Sequence, residues 1–362
     1  MINQQMHTVN FQGRSPVQIK LEAKNVLGQG ASGKVYKVEV LSKYYAAKIF
    51  HTHSIKTQNK IKAMTDMWSQ ITVAERDYFN KLTWPVTPVQ KNGNIIGFLM
   101  PLIEPKKHLN INVFYEAILK KKITNINILA LTNLFEIIKN LSKLISFLHK
   151  KNIYMVDLKP QNILVSVKDV SVTLLDCDGF SIKTTNGETF PADMYSMDYI
   201  SPEAYRNKIK PELLGEPQDR YAMAVLIFQL LNGGIHPYQG VLTSPSRSSN
   251  TNDDRAAAGL YPYGPISNKE IKAHPYSIHS FYPSTLIKLF ERAFTEVGLD
   301  RPSAIEWETY AVTKLKNKGF EACKKQNKDP SHIHFYGMGC FTCFSQELKK
   351  NLKPKIVKPK VV

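Results

Sequence analysis

The stretch Tyr154-Met155-Val156-Asp157-Leu158-Lys159-Pro160-Gln161-Asn162 constrains this chain most, together with Leu174-Leu175-Asp176-Cys177-Asp178-Gly179, whose Asp176 follows Asn162 by 14 positions. The spacing Asp-x-Lys-x-x-Asn puts three side chains of unlike chemistry on one loop. A second loop must bring further carboxylates to it. Upstream, Leu131, Leu134, Phe135, Ile138, Leu141, Leu144, Ile145 and Leu148 recur in steps of three and four, which predicts one long helix with a buried face. A lone aspartate in a loop is usually there to be solvated. Three polar residues at this spacing, after a buried helix and before an apolar strand at Val172–Leu175, read instead as a phosphotransfer site. Asp157 is placed to accept a hydroxyl proton, Lys159 to steady the moving phosphoryl group, and Asn162 and Asp176 to offer oxygens to Mg2+. Asp178 could imitate Asp176 two residues late. The register favours Asp176, the first carboxylate after the strand.

A second constellation lies near the N-terminus. Gly28-Gln29-Gly30-Ala31-Ser32-Gly33-Lys34-Val35 fits G-x-G-x-x-G-x-V, in which glycines let backbone N–H groups approach phosphates. A dinucleotide-binding turn would open a helix and carry an acid about 20 residues on. Here a strand follows and ends in a lysine, Lys48. That lysine is expected to contact the α and β phosphates and to need an acidic partner. Glu75 is the choice and Asp77 the competitor, on a segment, Lys56 to Leu82, of helical composition.

The rest of the chain follows a coarse grammar of strands first and helices later, which implies a small sheet-rich lobe and a larger helical one. With 43% hydrophobic and 22% charged residues it has the composition of a globular protein. No apolar run reaches the roughly 20 residues that span a bilayer. The first residues have neither a basic nor an apolar leader region, so no membrane association and a cytoplasmic location are expected. Much of the net charge of +18 lies in Lys-rich segments such as Lys107 to Lys122 and Lys349 to Lys360. It reads mainly as a solvated surface, and contact of the basic tail with nucleic acid is the less favoured alternative. Thr243 to Asp254, rich in Ser, Asn and Asp, reads as a surface insertion.

From Gly28 to Arg301, about three quarters of the chain, the sequence resembles the eukaryotic-type (Hanks-type) Ser/Thr protein kinase family. Within it, the chain looks like bacterial kinases found beside tellurium-resistance-type genes, which often carry a C-terminal cysteine cluster. The features behind this are Trp84-Pro85-Val86, a catalytic Asp with no Arg before it, and Asp-Cys-Asp in place of Asp-Phe-Gly. The resemblance implies an α+β, bilobal protein-kinase-like fold with a small β-rich N-lobe, a larger helical C-lobe and a small C-terminal zinc-ribbon-like appendage. It places the boundaries at 1–18 (flexible N-terminal segment), 19–315 (kinase domain, N-lobe 19–103 and C-lobe 104–315), 316–346 (Cys/His zinc module) and 347–362 (basic tail). ATP and Mg2+ are the implied cofactors. Gly28, Gly30, Ser32, Gly33, Val35 and Lys48 would hold the nucleotide, with Met100 and Ile103 at the adenine. Pro101, after Met100, costs nothing where only a carbonyl is required.

Lys159 is the usual pattern of kinases acting on Ser or Thr, so protein substrates with such acceptors are the expected partners. The resemblance also makes Glu203, in Ser201-Pro202-Glu203, the buried partner of Arg301, and Asp219 the brace of the catalytic loop backbone. In many kinases the Arg before the catalytic Asp pairs with a phosphorylated activation segment. Val156 cannot, so activity without phosphorylation between Phe180 and Ile200 is expected. Ser181, Thr184, Thr185, Thr189 and Ser196 remain as autophosphorylation targets. A nucleotide-binding pseudokinase scaffold is the rival reading.

Four cysteines are too few for a disulfide framework. Cys340-Phe341-Thr342-Cys343 is a C-x-x-C knuckle, with Cys323 upstream and His332 and His334 between. Cys323, His332, Cys340 and Cys343 are expected to bind Zn2+. His332 is preferred to His334 because it leaves a longer loop to Cys340.

Overall fold

The computed structural model describes residues 6–115, 129–243, 251–265, 268–326 and 328–351. Part of the Lys-rich stretch (116–122), most of the Ser/Asn-rich insertion (244–250) and most of the basic tail lie outside the described residues. The chain forms two compact units. The first takes in residues up to 111, 144–196 and 209–219, and the second 112–143, 197–208 and 220 onward.

The first unit is built on a seven-stranded antiparallel sheet. Its strands are β1 (Met6–Val9), β2 (Val17–Lys20), β3 (Val26–Gln29), β4 (Gly33–Val40), β5 (Lys43–Phe50), β6 (Thr87–Lys91) and β7 (Asn94–Pro101), in the order β2-β1-β6-β7-β5-β4-β3. Val38, Val40, Ala47, Val89, Ile96 and Leu99 join Val9 and Ile19 in one apolar cluster. Strand β1 falls within the segment expected to be a flexible lead-in. His7 and Val9 are buried, and Thr8 and Val9 pair with Gln90 and Val89 of β6. Four residues are too short for a period to stand out, and their partner lies some 80 positions away in sequence.

Between β5 and β6 the stretch of helical composition forms two helices, α1 (Ile55–Ser69) and α2 (Val73–Phe79). Ser54 caps α1 by accepting from the Thr57 N–H at 3.1 Å. The chain then restarts at Thr72, whose hydroxyl and the Glu75 carboxylate form a reciprocal capping box. Helix α2 docks through Tyr78, stacked on Phe147 at 4.2 Å, and Phe79, edge-on to Trp84. The same unit holds β8 (His108–Asn110), β9 (Ile153–Tyr154), β10 (Ile163–Ser166) and β11 (Val172–Leu174), of which β8, β10 and β11 form a small sheet. It also holds β12 (Ser181–Lys183), paired with β9 and with β13 (Thr189–Phe190).

The second unit is helical. The long periodic helix is α3 (Leu131–Lys150), whose residues from 144 on belong to the first unit, followed by α4 (Pro202–Arg206), α5 (Glu216–Leu231), which belongs to the second unit from 220 on, α6 (Asn252–Ala257), α7 (Ser284–Thr295), α8 (Ala304–Lys316) and α9 (Phe341–Asn351). Phe228, Phe290, Phe294 and Trp307 form its aromatic core. Glu203 of α4 meets Arg301 in a two-pronged ion pair, 2.6 and 2.7 Å, and Arg301 is 1% exposed. Burial disfavours the Glu203 carboxylate, but Arg301 more than offsets it and holds the group below its usual range. A hairpin, Phe320–Ala322 with Ile333–Phe335, packs Phe320 and Phe335 on Phe135.

Candidate active site

Strand β9 leads into Met155 and Val156, and Val156 sits at φ 60°, a left-handed conformation that a β-branched residue adopts only under constraint. The constraint is Asp219, 1% exposed, whose two carboxylate oxygens accept from the Met155 N–H (2.8 Å) and the Val156 N–H (2.7 Å). His149 lies 3.1 Å from the same carboxylate. The loop so held presents Asp157, Lys159 and Asn162. Lys159 donates to Asp157 Oδ2 at 2.6 Å and to the Ser196 hydroxyl at 2.8 Å. The Asn162 amide donates to the Asp157 carbonyl at 3.0 Å. Asp157 Oδ1 is buried and accepts no hydrogen bond from the protein.

Strand β11 ends at Leu174, and Asp176 takes φ 54°, ψ 38°, a left-handed turn that aspartate tolerates. Asp178 spends both carboxylate oxygens on the Lys48 ammonium, at 2.8 and 2.9 Å, whereas Asp176 touches it with one oxygen at 3.3 Å. The Asp176 side chain is 65% exposed and that of Asp178 is 12% exposed. Burial opposes charge on Lys48, but the two carboxylates outweigh it and hold the ammonium above its ordinary value. Cys177, fully buried against Thr83 and the Leu174 carbonyl, has its thiol pushed far up by desolvation. It packs as a small apolar residue.

These groups converge on one cavity of about 270 Å³, lined among others by Ser32, Lys48, Asp157, Lys159, Asn162 and Asp176. The glycine turn stands where β3 passes to β4. Gly30 closes it on the Gly33 carbonyl at 2.9 Å, and a Cβ on Gly33 would fall 2.4 Å from the Ile49 carbonyl, so only glycine fits there. Across the sheet Lys48 stands between Val35 and Phe98. Gly28, Gly30, Gly33, Val35, Met100 and Ile103 are not among the lining residues.

Glu75 is not brought to Lys48. As the third residue of α2 it caps its own helix through the Thr72 N–H, at 2.9 Å, and pairs with Lys151. Asp77 is exposed on the same helix. Helix α1 faces the cavity instead, and places there a residue the sequence reading passed over, Lys60. It is 4% exposed, donates to the Pro191 carbonyl at 3.1 Å, and burial pulls it from 10.5 down to about 8 against the Asp193 and Asp178 carboxylates. The available signal was that Lys60 shares a helix face with Ile61, Met64 and Thr65, all buried.

In the second unit Cys323, His332, Cys340 and Cys343 bring their donor atoms within 4.8 Å of one another. Cys323 Sγ is 3.6 Å from Cys343 Sγ, and His332 Nδ1 is 3.5 and 3.4 Å from the sulfurs of Cys340 and Cys343. A zinc tetrahedron with arms of about 2.3 Å to sulfur and about 2.0 Å to nitrogen has edges of roughly 3.5–3.8 Å, so this donor set fits. The other ring nitrogen of His332 faces Gln346 at 3.2 Å, and His334 turns to Glu321 at 3.5 Å.

The β-rich sheet with its glycine turn, the braced loop and the lysine held over two aspartates define a protein kinase domain. The chain belongs to that family, whose protein kinase domain model matches residues 21–310. It is similar to protein kinase YegI of Escherichia coli strain K12, 28% identical over 293 residues, covering 78% of this chain and 42% of YegI. It is also similar to serine/threonine-protein kinase AtPK2/AtPK19 of Arabidopsis thaliana, 25% identical over 217 residues, covering 59% of this chain and 41% of that one. The chain thus spans less than half the length of these relatives. Among solved structures a rhoptry kinase from Toxoplasma gondii shares the fold, with a TM-score of 0.57, 14% identity and coverage of 87% and 85%. No helix among the described residues is long and apolar enough to cross a membrane.

Proposed function

We propose that this chain transfers the γ-phosphoryl group of ATP to serine or threonine hydroxyls of protein substrates, with 19–315 as the catalytic domain. The observation that carries the reading is the convergence of Asp157, Lys159, Asn162, Asp176 and Lys48 on one cavity. Asp157 Oδ1, buried and unpartnered, orients the acceptor hydroxyl and takes its proton. Lys159, fixed between Asp157 and Ser196, offsets charge on the transferring group. Lys48 and the Gly28–Gly33 turn hold the phosphates, with Met100 and Ile103 at the adenine. Asn162 and Asp176 would hold Mg2+, which when bound neutralises phosphate charge. Asp178, engaged twice by Lys48, is the less available ligand. Lys48 takes its acid from this loop and not from Glu75.

The activation segment is tied down without phosphate. Ser181 and Ile182 pair with β9, Lys56 bonds Asp193 at 2.8 Å and Lys159 bonds Ser196. This supports activity without phosphorylation of the segment. Kinship with the E. coli kinase supports a bacterial branch of the family, and the Cys323, His332, Cys340 and Cys343 set supports a structural Zn2+ site. Four cysteines outside any disulfide suit a reducing cytoplasm.

The test is the mass of the adduct formed on a basic protein substrate with Mg-ATP, for wild type, Asp157→Ala and Asp176→Ala. A phosphate increment lost in both variants is expected. Nucleotide binding with no increment would support the scaffold reading, and a nucleotidyl increment would move the chemistry to another group.

A further inference from the structure

Helix α1 offers the cavity no carboxylate. Its one acid, Asp66, is exposed and paired with Lys62, and the wall it presents carries Lys56, Thr57, Lys60 and Ile61. Lys48 has two carboxylates, whereas among the described residues no carboxylate lies within ion-pair reach of Lys60. An ammonium has three donors, and the Pro191 carbonyl takes one. Burying a cation without a counter-ion is costly, and a cavity wall that retains one is suited to an anion from outside. The other cations around that space are Lys48, Lys56 and Lys159, and the anions are Asp157, Asp176, Asp178 and Asp193. Asp178 is taken by Lys48, Asp157 by Lys159 and Asp193 by Lys56.

We propose that Lys60 is a second polyphosphate ligand of this cavity, acting beside Lys48 at the position where α1 supplies no acid. The proposal rests on the reading of the cavity as a nucleotide site. Within that reading, the charge arrangement is exchanged: the carboxylate that steadies Lys48 comes from the Asp176–Gly179 loop, and the helix contributes positive charge. The competing account is that Lys60 only ties α1 to Pro191, as Lys56 ties it to Asp193.

The experiment is calorimetric titration of the full chain with Mg-ATP and, separately, with adenosine, for wild type, Lys60→Met, Lys60→Arg and Lys48→Met, with melting temperatures as a control on folding. Lys60→Met is expected to weaken Mg-ATP binding about tenfold or more and to leave adenosine binding within about twofold, the loss expected for a bond to a charged group. Lys60→Arg, which keeps the charge, is expected to retain most of the affinity. Equal Mg-ATP affinity in wild type and Lys60→Met, with a loss in Lys48→Met, would overturn the role of Lys60 and leave the nucleotide site standing. Parallel losses of Mg-ATP and adenosine affinity in Lys60→Met would assign it to structure alone. A wild-type chain that binds neither ligand would overturn both readings.

Discussion

A lysine buried to the degree of Lys60 gives up most of its hydration, and the carbonyl of Pro191 returns only part of it. The group lies at about 8 in the folded chain against 10.5 ordinarily. Between these values the unfolded chain binds the extra proton, so stability must rise with pH across that window. A shift of this size corresponds to about 3 kcal/mol. Denaturant titrations should therefore show wild type gaining on Lys60→Met as the pH goes from 8 toward 10.5, with a constant difference below 8. A flat difference throughout would mean that the ammonium is not desolvated. The sequence could not display this, because a lysine on a helix is ordinarily read as solvated. Asp157, Lys159 and Asn162 were legible because their spacing on one loop is itself the geometry.

At the scale of elements, legibility followed the length of the pattern. Helix α3 was readable from eight apolar positions, and Asp219 from the family resemblance, its carboxylate accepting from the Met155 and Val156 N–H groups. Strand β1 was not, since its pairing with β6 is non-local. The partner of Lys48 was not either. Whether the run from Lys56 to Leu82 is one helix or two depends on the capping box at Thr72, and that break sends Glu75 to Lys151. The activation segment carries the prediction that belongs here. Its backbone pairs with β9, and Lys56 bonds Asp193. Alanine at Ser181, Thr184, Thr185 and Thr189 together should leave the transfer rate within about threefold of wild type, since none of the four lines the cavity. Ser196→Ala should cost more, because its hydroxyl holds Lys159. Loss of transfer in the fourfold variant with Mg-ATP binding intact would show that the segment needs a phosphate after all.

For the whole molecule, two chemistries sit in separate units. The sheet-bearing unit carries the proposed phosphotransfer constellation, and the helical unit carries the Cys/His cluster, whose hairpin packs Phe320 and Phe335 on Phe135 of α3. A metal bound there stabilises the folded state directly. Metal analysis should find one zinc per chain, lost in Cys343→Ser, and a chelator should lower the melting temperature of wild type but not of that variant. Full occupancy in the variant would place the metal elsewhere. The central claim, that the cavity around Asp157 performs phosphoryl transfer, is tested most directly by the adduct measurement made with nucleotide affinity in the same samples, using Asp157→Asn beside Asp157→Ala. Wild type is expected to give a phosphate increment on serine or threonine. Asp157→Asn is expected to keep Mg-ATP affinity within about twofold and to transfer more slowly by about 100-fold or more, the loss of a general base. Transfer at the wild-type rate in that variant would contradict the claim.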